Sequence, residues 1–262
     1  MHLSDIKGFL LDMDGTFYMG DHLLPGALEL LDLFNKRRLP FIFLTNNSSR
    51  SRKEYVKRLI RLGIRESDAR VFTSGDATAR YIREKTAYER IFLVGTQDLH
   101  ETFLEAGLHL VQDQPDLVVL GYDTSLTYDK VNRLCSFLAG GLPFIATHPD
   151  INCPTSTGFA PDIGAMLALV KASTGREPDL IVGKPNRIII DMVAGELGLQ
   201  AGDLTMIGDR LYTDIALGQT ARLTTVLVLT GETKLADLPA SPFQPDYVFD
   251  GLNGVIKAIS GR

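Results

Sequence analysis

The sequence predicts an α/β protein built on a doubly wound parallel sheet, and three observations carry that prediction. Short apolar runs alternate with amphipathic helical patterns along nearly the whole chain, the order expected when helices cross between parallel strands. The first run, Phe9-Leu10-Leu11, ends abruptly in Asp12-Met13-Asp14-Gly15-Thr16, as a buried strand does when it delivers polar groups to the carboxyl edge of a sheet. At 262 residues the chain is also long enough for a large core and two domains.

Strand-like runs fall near Phe9–Leu11, Phe41–Leu44, Val71–Thr73, Ile91–Val94, Leu117–Leu120, Phe144–Ala146, Leu180–Val182, Leu204–Ile207 and Thr225–Leu229. Helical patterns separate them, among them Ala27–Arg37, Ser51–Leu62 and Tyr128–Ala139. Pro25-Gly26 and Asn46-Asn47-Ser48-Ser49 mark loops at strand ends, and Ser49 or Ser51 is placed to cap the helix carrying Tyr55, Leu59 and Leu62. Cys135 shares helical spacing with Val131, Leu134 and Leu138, which predicts a packed core thiol. The middle third has strands and helices enough for a sheet of its own, with no obvious linker to mark its edges. No fixed-period repeat, GxGxxG fingerprint or Walker phosphate loop occurs.

Composition narrows the class. Lys and Arg number 27 against 32 Asp and Glu, a net charge of −5 with a pI near 5.6. That balance argues against nucleic acid or an anionic membrane as partner, since both need a basic face. Runs such as Val226-Leu227-Val228-Leu229 are far too short to cross a bilayer. Asp5 and Lys7 interrupt the stretch where a signal peptide carries its apolar region, so none is expected. Two cysteines, Cys135 and Cys153, make no disulfide framework and fit a reducing compartment. The expectation is a soluble cytoplasmic protein.

Four strand ends carry chemistry-bearing residues. Asp12 and Asp14 are two apart, so strict β geometry puts both on one side. Two carboxylates roughly 4 Å apart repel by about 4 kcal/mol at an effective dielectric near 20. A cation, or a proton on one of them, must therefore hold the pair together. Gly15 permits a sharp exit that turns backbone N–H groups toward the site. Alone, the motif equally describes a turn of solvated acids. Thr45-Asn46, after Phe41–Leu44, offers a hydroxyl and loop N–H groups to an oxyanion, though ordinary turn chemistry accounts for it as well. Lys184, in Val182-Gly183-Lys184-Pro185, brings an ammonium to a strand end, where the alternative is a surface lysine. Asp209 and Asp214 bracket the turn after Leu204–Ile207, and Asp214 also suits a first-turn acid serving the helix dipole.

Together these four ends make the inventory of a metal-assisted phosphoryl transfer. With Asp12-Met13-Asp14-Gly15-Thr16, Thr45-Asn46-Asn47, Gly183-Lys184-Pro185 and Gly208-Asp209-Arg210-Leu211-Tyr212-Thr213-Asp214 in order, the chain resembles the haloacid dehalogenase (HAD) superfamily of phosphohydrolases. The last two motifs, with Ala146-Thr147-His148-Pro149-Asp150 and Leu229-Thr230-Gly231-Glu232-Thr233, look like the branch holding the NagD nucleotide phosphatase and the p-nitrophenyl phosphatases.

The resemblance implies a Rossmann-like core from residues 1–79 and 180–262, with an inserted α/β cap over 80–179 that governs substrate choice. It implies Asp12 as nucleophile, forming an aspartyl-phosphate, and Asp14 as general acid and then base. Mg²⁺ would be held by Asp12, the Asp14 backbone carbonyl and Asp209, with Asp214 supporting from outside. Thr45, Asn46, Asn47 and Lys184 would hold the phosphate of a small-molecule substrate. The cap segment Ala146–Phe159 is expected to meet that substrate. Within it, His148 stands where related sequences often have Asn, and a structural role is favoured for it; Cys153 lies nearby. Arg222 follows Ala221 where relatives often carry Gly, a departure expected to touch packing alone. A phosphotransferase or phosphomutase uses the same intermediate, and a receiver-like module controlled by phosphorylation shares the acids, Thr and Lys-Pro. Asp14 discriminates, because a module that must keep its phosphate has no use for a base beside it. Homo-oligomer formation stays open.

Overall fold

A computed structural model describes residues 6–155 and 158–261. Asp5, used in the signal-peptide argument, and residues 156 and 157 of the expected substrate-facing segment lie outside the described residues. The chain divides into two compact units. One holds the chain up to Thr45, then Val56–Phe72 and the chain from Lys184 onward; the other holds Asn46–Tyr55 and Thr73–Gly183.

The first unit is built on a six-stranded sheet ordered Tyr247–Phe249, Thr224–Val228, Leu204–Gly208, Gly8–Leu11, Phe41–Thr45, Val71–Thr73. Gly8–Leu11 pairs in parallel with both Leu204–Gly208 and Phe41–Thr45, setting Leu11 opposite Ile207 and Phe43. Successive strands go outward from Gly8–Leu11 on one side, and the returning chain resumes on the other. The carboxyl end of the first strand is therefore the switch point of the sheet, where open α/β folds bind their ligands. All four residues of Gly8–Leu11 and all five of Phe41–Thr45 are buried, which is why both read as unbroken apolar runs. Phe9 stacks on Phe34 of the Ala27–Arg37 helix, with ring centroids 4.3 Å apart, and Phe17 meets Phe43 edge-on at 4.8 Å.

The second unit carries a five-stranded sheet ordered Leu180–Ile181, Phe144–Ala146, Leu117–Leu120, Arg90–Val94, His109–Leu110, again with parallel pairings. Phe92, Val94, Val118, Leu120, Leu134, Leu138, Phe144 and Val170 share its core. Leu134 and Leu138 of the Tyr128–Ala139 helix supply the buried stripe, whereas Cys135, expected in that core, is only partly buried. A side chain one position after Leu134 is rotated about 100° from it, so Cys135 sits with the partly buried Val131 at the border of the stripe that Leu134 and Leu138 define. Asn152–Thr155 and Gly158–Pro161 add an antiparallel ribbon. No helix among the described residues is long and apolar enough to cross a membrane.

Candidate active site

At the switch point the first unit gathers four of the expected residues. Asp12, Asp209 and Asp214 each place a carboxylate oxygen within 4.8 Å of the others. Lys184 lies between them, its Nζ donating to Asp12 Oδ1 and Asp214 Oδ1 at 2.6 Å each and to the Leu44 carbonyl at 3.3 Å. The lysine is 2% exposed, so the surface alternative is overturned.

Backbone packing explains how the acids converge. Asp12 continues the ladder by donating its N–H to the Ile207 carbonyl at 2.9 Å. Gly208 lets the Asp214 carboxylate reach the strand end, because a Cβ there would meet its Cγ at 2.3 Å. Asp214 Oδ2 accepts the Arg210 N–H at 3.1 Å, and the segment Leu211–Ile215 winds as a π-helical turn before the Ala216–Ala221 helix. Asp214 is thus bound to Lys184 and the Arg210 backbone, which is more than a first-turn acid answering a helix dipole. Asp209 is gripped on both oxygens: Oδ1 accepts Thr16 Oγ1 at 3.2 Å and Oδ2 accepts the Glu232 N–H at 2.7 Å. Arg210 in turn pairs with the Glu232 carboxylate at 2.9 Å.

The charges set the protonation. Burial pushes Asp12 well above the usual carboxylate range; Lys184 pulls it down, and Asp214 and Asp209 push it further up. Burial and then the Asp214 charge raise Asp209 to about 6. Burial works against the Lys184 ammonium, but Asp12 and Asp214 overcome it and raise its pKa. The donor set is three carboxylates without sulfur or nitrogen, which suits a hard divalent cation.

Asp14 is held in the turn that follows the first strand. The strand stops at Leu11, so the alternation that put Asp12 and Asp14 on one side no longer governs them. Asp14 Oδ2 accepts the Tyr18 hydroxyl at 3.1 Å, and Gly15, with φ 85°, makes the turn between the two acids and Tyr18. Thr45 ends its strand and is 5% exposed.

Asn46 and Asn47 belong to the second unit. Asn46 Nδ2 donates to Asp150 Oδ1 at 2.9 Å, and its carbonyl accepts the Ser74 hydroxyl. Asn47 Oδ1 accepts the Ser49 N–H at 2.9 Å, while its Nδ2 reaches Cys153 Sγ at 3.6 Å. His148 is fully buried between Asp162 Oδ1 and Thr147 Oγ1, both at 3.1 Å, a structural position. Ser51, not Ser49, takes the cap of the Arg52–Arg61 helix, accepting the Glu54 N–H at 3.4 Å. The grip of the Glu232 N–H on Asp209, and of the Tyr18 hydroxyl on Asp14, escaped sequence reasoning. Both are contacts across loops, though Tyr18 is only four positions from its partner.

Comparison with known proteins decides the lineage. The model described as haloacid dehalogenase-like hydrolase matches residues 9–109, and a second, HAD-hydrolase-like, matches 181–255. An acid sugar phosphatase of Staphylococcus haemolyticus is 34% identical over 98% of each chain. The chain belongs to the haloacid dehalogenase-like hydrolase family. The 5'-nucleotidase YutF of Bacillus subtilis is likewise 34% identical, over 98% of this chain and 100% of its own. The crystal structure of the 4-nitrophenylphosphatase of Thermotoga maritima superposes with a TM-score of 0.94 at 45% identity, over 98% of each chain. Within the HAD family the chain is thus a phosphoric monoester hydrolase of the branch that its motifs resemble.

Proposed function

We propose that this HAD hydrolase is a Mg²⁺-dependent phosphatase of small phosphorylated metabolites, working through an aspartyl-phosphate on Asp12. The observation that carries the reading is the convergence of Asp12, Asp209 and Asp214 around the Lys184 ammonium. Asp12, Asp209 and the backbone carbonyl of Asp14 would hold the cation, with Asp214 fixing Lys184 and the loop behind Asp209. Bound there, Mg²⁺ would neutralise charge on the phosphoryl oxygens and help keep Asp12 ionised.

The chain's own groups do the rest. Asp12 attacks phosphorus as the ester oxygen leaves, and Asp14 gives that oxygen its proton. Asp14 then takes a proton from water as the water attacks the phosphorus of the acyl phosphate, freeing phosphate and Asp12. Thr45 and Lys184 hold the phosphate oxygens. The scale of the task requires all of them, since phosphate-monoester hydrolysis calls for accelerations of up to ~10²¹, or on the order of 28 kcal/mol. Positioning supplies about 7–11 kcal/mol and acid–base transfer roughly 10²–10⁴ in rate. Electrostatic stabilisation must supply most of the remainder.

The first unit is proposed as the catalytic core and the second as the cap that selects the substrate; the expected boundaries at 79/80 and 179/180 fall inside the second unit's Thr73–Gly183. The sugar phosphatase and nucleotidase names of the relatives support a small phosphomonoester as substrate. The two free cysteines support a reducing, cytoplasmic setting. The test is phosphate release from a panel of sugar phosphates, nucleoside monophosphates and p-nitrophenyl phosphate, with Mg²⁺ and after exhaustive chelation. Turnover that survives chelation would reject the metal assignment.

A further inference from the structure

We infer that Tyr18 is a positioning residue for Asp14, and that Arg58 holds Tyr18 in place for that task. The inference rests on the proposed role of Asp14 as the acid that protonates the leaving group.

Five contacts form the chain of support, all within the first unit. The Tyr18 hydroxyl donates to Asp14 Oδ2 at 3.1 Å. Tyr18 is fully buried, and its backbone closes the same turn: its N–H donates to the Met13 carbonyl at 3.2 Å and its carbonyl accepts the Gly15 N–H at 2.9 Å. Asp14 and Tyr18 are thereby tied through main chain and side chain alike. The Arg58 guanidinium lies over the Tyr18 ring, 4.5 Å from its centroid, and Arg58 Nη2 donates to the Gly20 carbonyl at 2.8 Å. Gly20 joins the short strands Tyr18–Met19 and His22–Leu23, so Arg58 fixes both the ring and the ribbon that carries it.

The chemistry gives this arrangement a purpose. A proton donor contributes only if its oxygen sits within hydrogen-bond reach of the leaving oxygen, and a carboxylate on a two-torsion side chain does not stay there unaided. The phenol binds Oδ2 of the carboxyl group and so fixes how that group is turned. A cation over the ring draws electron density from it and strengthens the O–H as a donor. Nothing in this requires Tyr18 to touch substrate or to move a proton itself.

Leaving-group dependence separates positioning from bulk structure. Nitrophenolate departs as a stable anion and hardly needs an acid, whereas an alkoxide does. Tyr18→Phe removes one oxygen from a buried ring and keeps its shape. For Tyr18→Phe, kcat/KM on an alkyl phosphate such as glycerol phosphate should fall about tenfold, while kcat/KM on p-nitrophenyl phosphate stays within about twofold. The inhibition constant of inorganic phosphate should not move. Arg58→Met keeps the apolar stem over the ring without the charge, and should shift the same ratio in the same direction by about threefold. Equal losses on both esters, or no loss on either, in both variants would overturn the inference and leave the phosphatase reading standing. A wild-type protein that hydrolyses neither ester would overturn both.

Discussion

A methyl group added to Gly231 would lie 1.9 Å from Asp209 Oδ2, inside the carboxylate itself. Gly231 and Asp209 are 22 positions apart, yet the loop that begins at Thr230 is laid directly over that acid. The next residue donates its N–H to the same oxygen, and Thr230 Oγ1 donates to the Gly15 carbonyl at 2.7 Å. Gly231→Ala must therefore push Asp209 out of the acidic cluster or lift the loop away. Mg²⁺ affinity measured by calorimetry should fall on the order of 10–100-fold, the usual cost of losing a group that orients a metal ligand. Unchanged affinity would mean that Asp209 is not a ligand.

Protons and cation should compete for this cluster. Asp209 holds its proton up to about pH 6 in the folded protein, whereas an ordinary aspartate loses it near pH 4. The sign follows: the unfolded chain is the more acidic form, so the metal-free protein loses stability as pH rises from about 4 to about 6. The loss from this group is up to about 3 kcal/mol. Asp12, also raised by burial, adds in the same direction. Mg²⁺ should accordingly raise Tm more at pH 7.5 than at pH 5, and its binding at pH 5.5 should release protons in buffers of differing ionisation enthalpy. An equal Tm gain at both values would contradict the assignment of these acids to the cation.

Lys184→Met tests the other side of the balance. It keeps the length of the side chain and strips the charge from between two buried carboxylates. Breaking such a pair costs about 3–5 kcal/mol. The penalty should shrink at pH 5, where Asp12 can take up a proton, and denaturant unfolding at the two pH values measures it. Activity should be lost at both.

Asp12 and Asp14 separate by step. Asp14→Asn keeps the backbone carbonyl and can still accept the Tyr18 hydroxyl, but it no longer transfers a proton. On p-nitrophenyl phosphate it should give a burst of about one phenolate per active site, then very slow turnover, with phosphate bound covalently at Asp12. Asp12→Asn should give neither burst nor adduct. Rapid quench with intact-protein mass spectrometry reads both, and an adduct on another residue would reject the pairing of roles.

The strands that build the site were legible because buried parallel strands are apolar throughout. Gly8–Leu11, Phe41–Thr45 and Leu204–Gly208 begin and end within a residue or so of their apolar runs. The pairs Tyr18–Met19 with His22–Leu23 and Asn152–Thr155 with Gly158–Pro161, and the edge strand Tyr247–Phe249, were not legible. They are short, half-exposed and mixed in polarity, so neither period dominates. Asp12, Lys184, Asp209 and Asp214 could be selected one by one as acids and a base at strand ends. What the sequence conceals is their mutual aim. Leu180–Ile181 shows the same limit at a boundary: an apolar run cannot state which of two sheets it joins, and here it pairs with Phe144–Ala146. Asn46 and Asn47 follow Thr45 directly, yet their side chains are spent on Asp150, Ser49 and Cys153, partners 2 to 106 positions away.

The Lys184 ammonium binds two of the three carboxylates but carries charge enough to balance only one, and that shortfall sets an order of events. With Asp12, Asp209 and Asp214 ionised, the cluster keeps two uncompensated negative charges, and a phosphate dianion approaching it is repelled. A divalent ion cancels that remainder, whereas a monovalent ion leaves half of it. Substrate should therefore find a receptive pocket only after the dication has arrived, so initial-rate kinetics should follow a compulsory sequence with metal first. A cell would then control the enzyme through free Mg²⁺ as effectively as through the supply of ester.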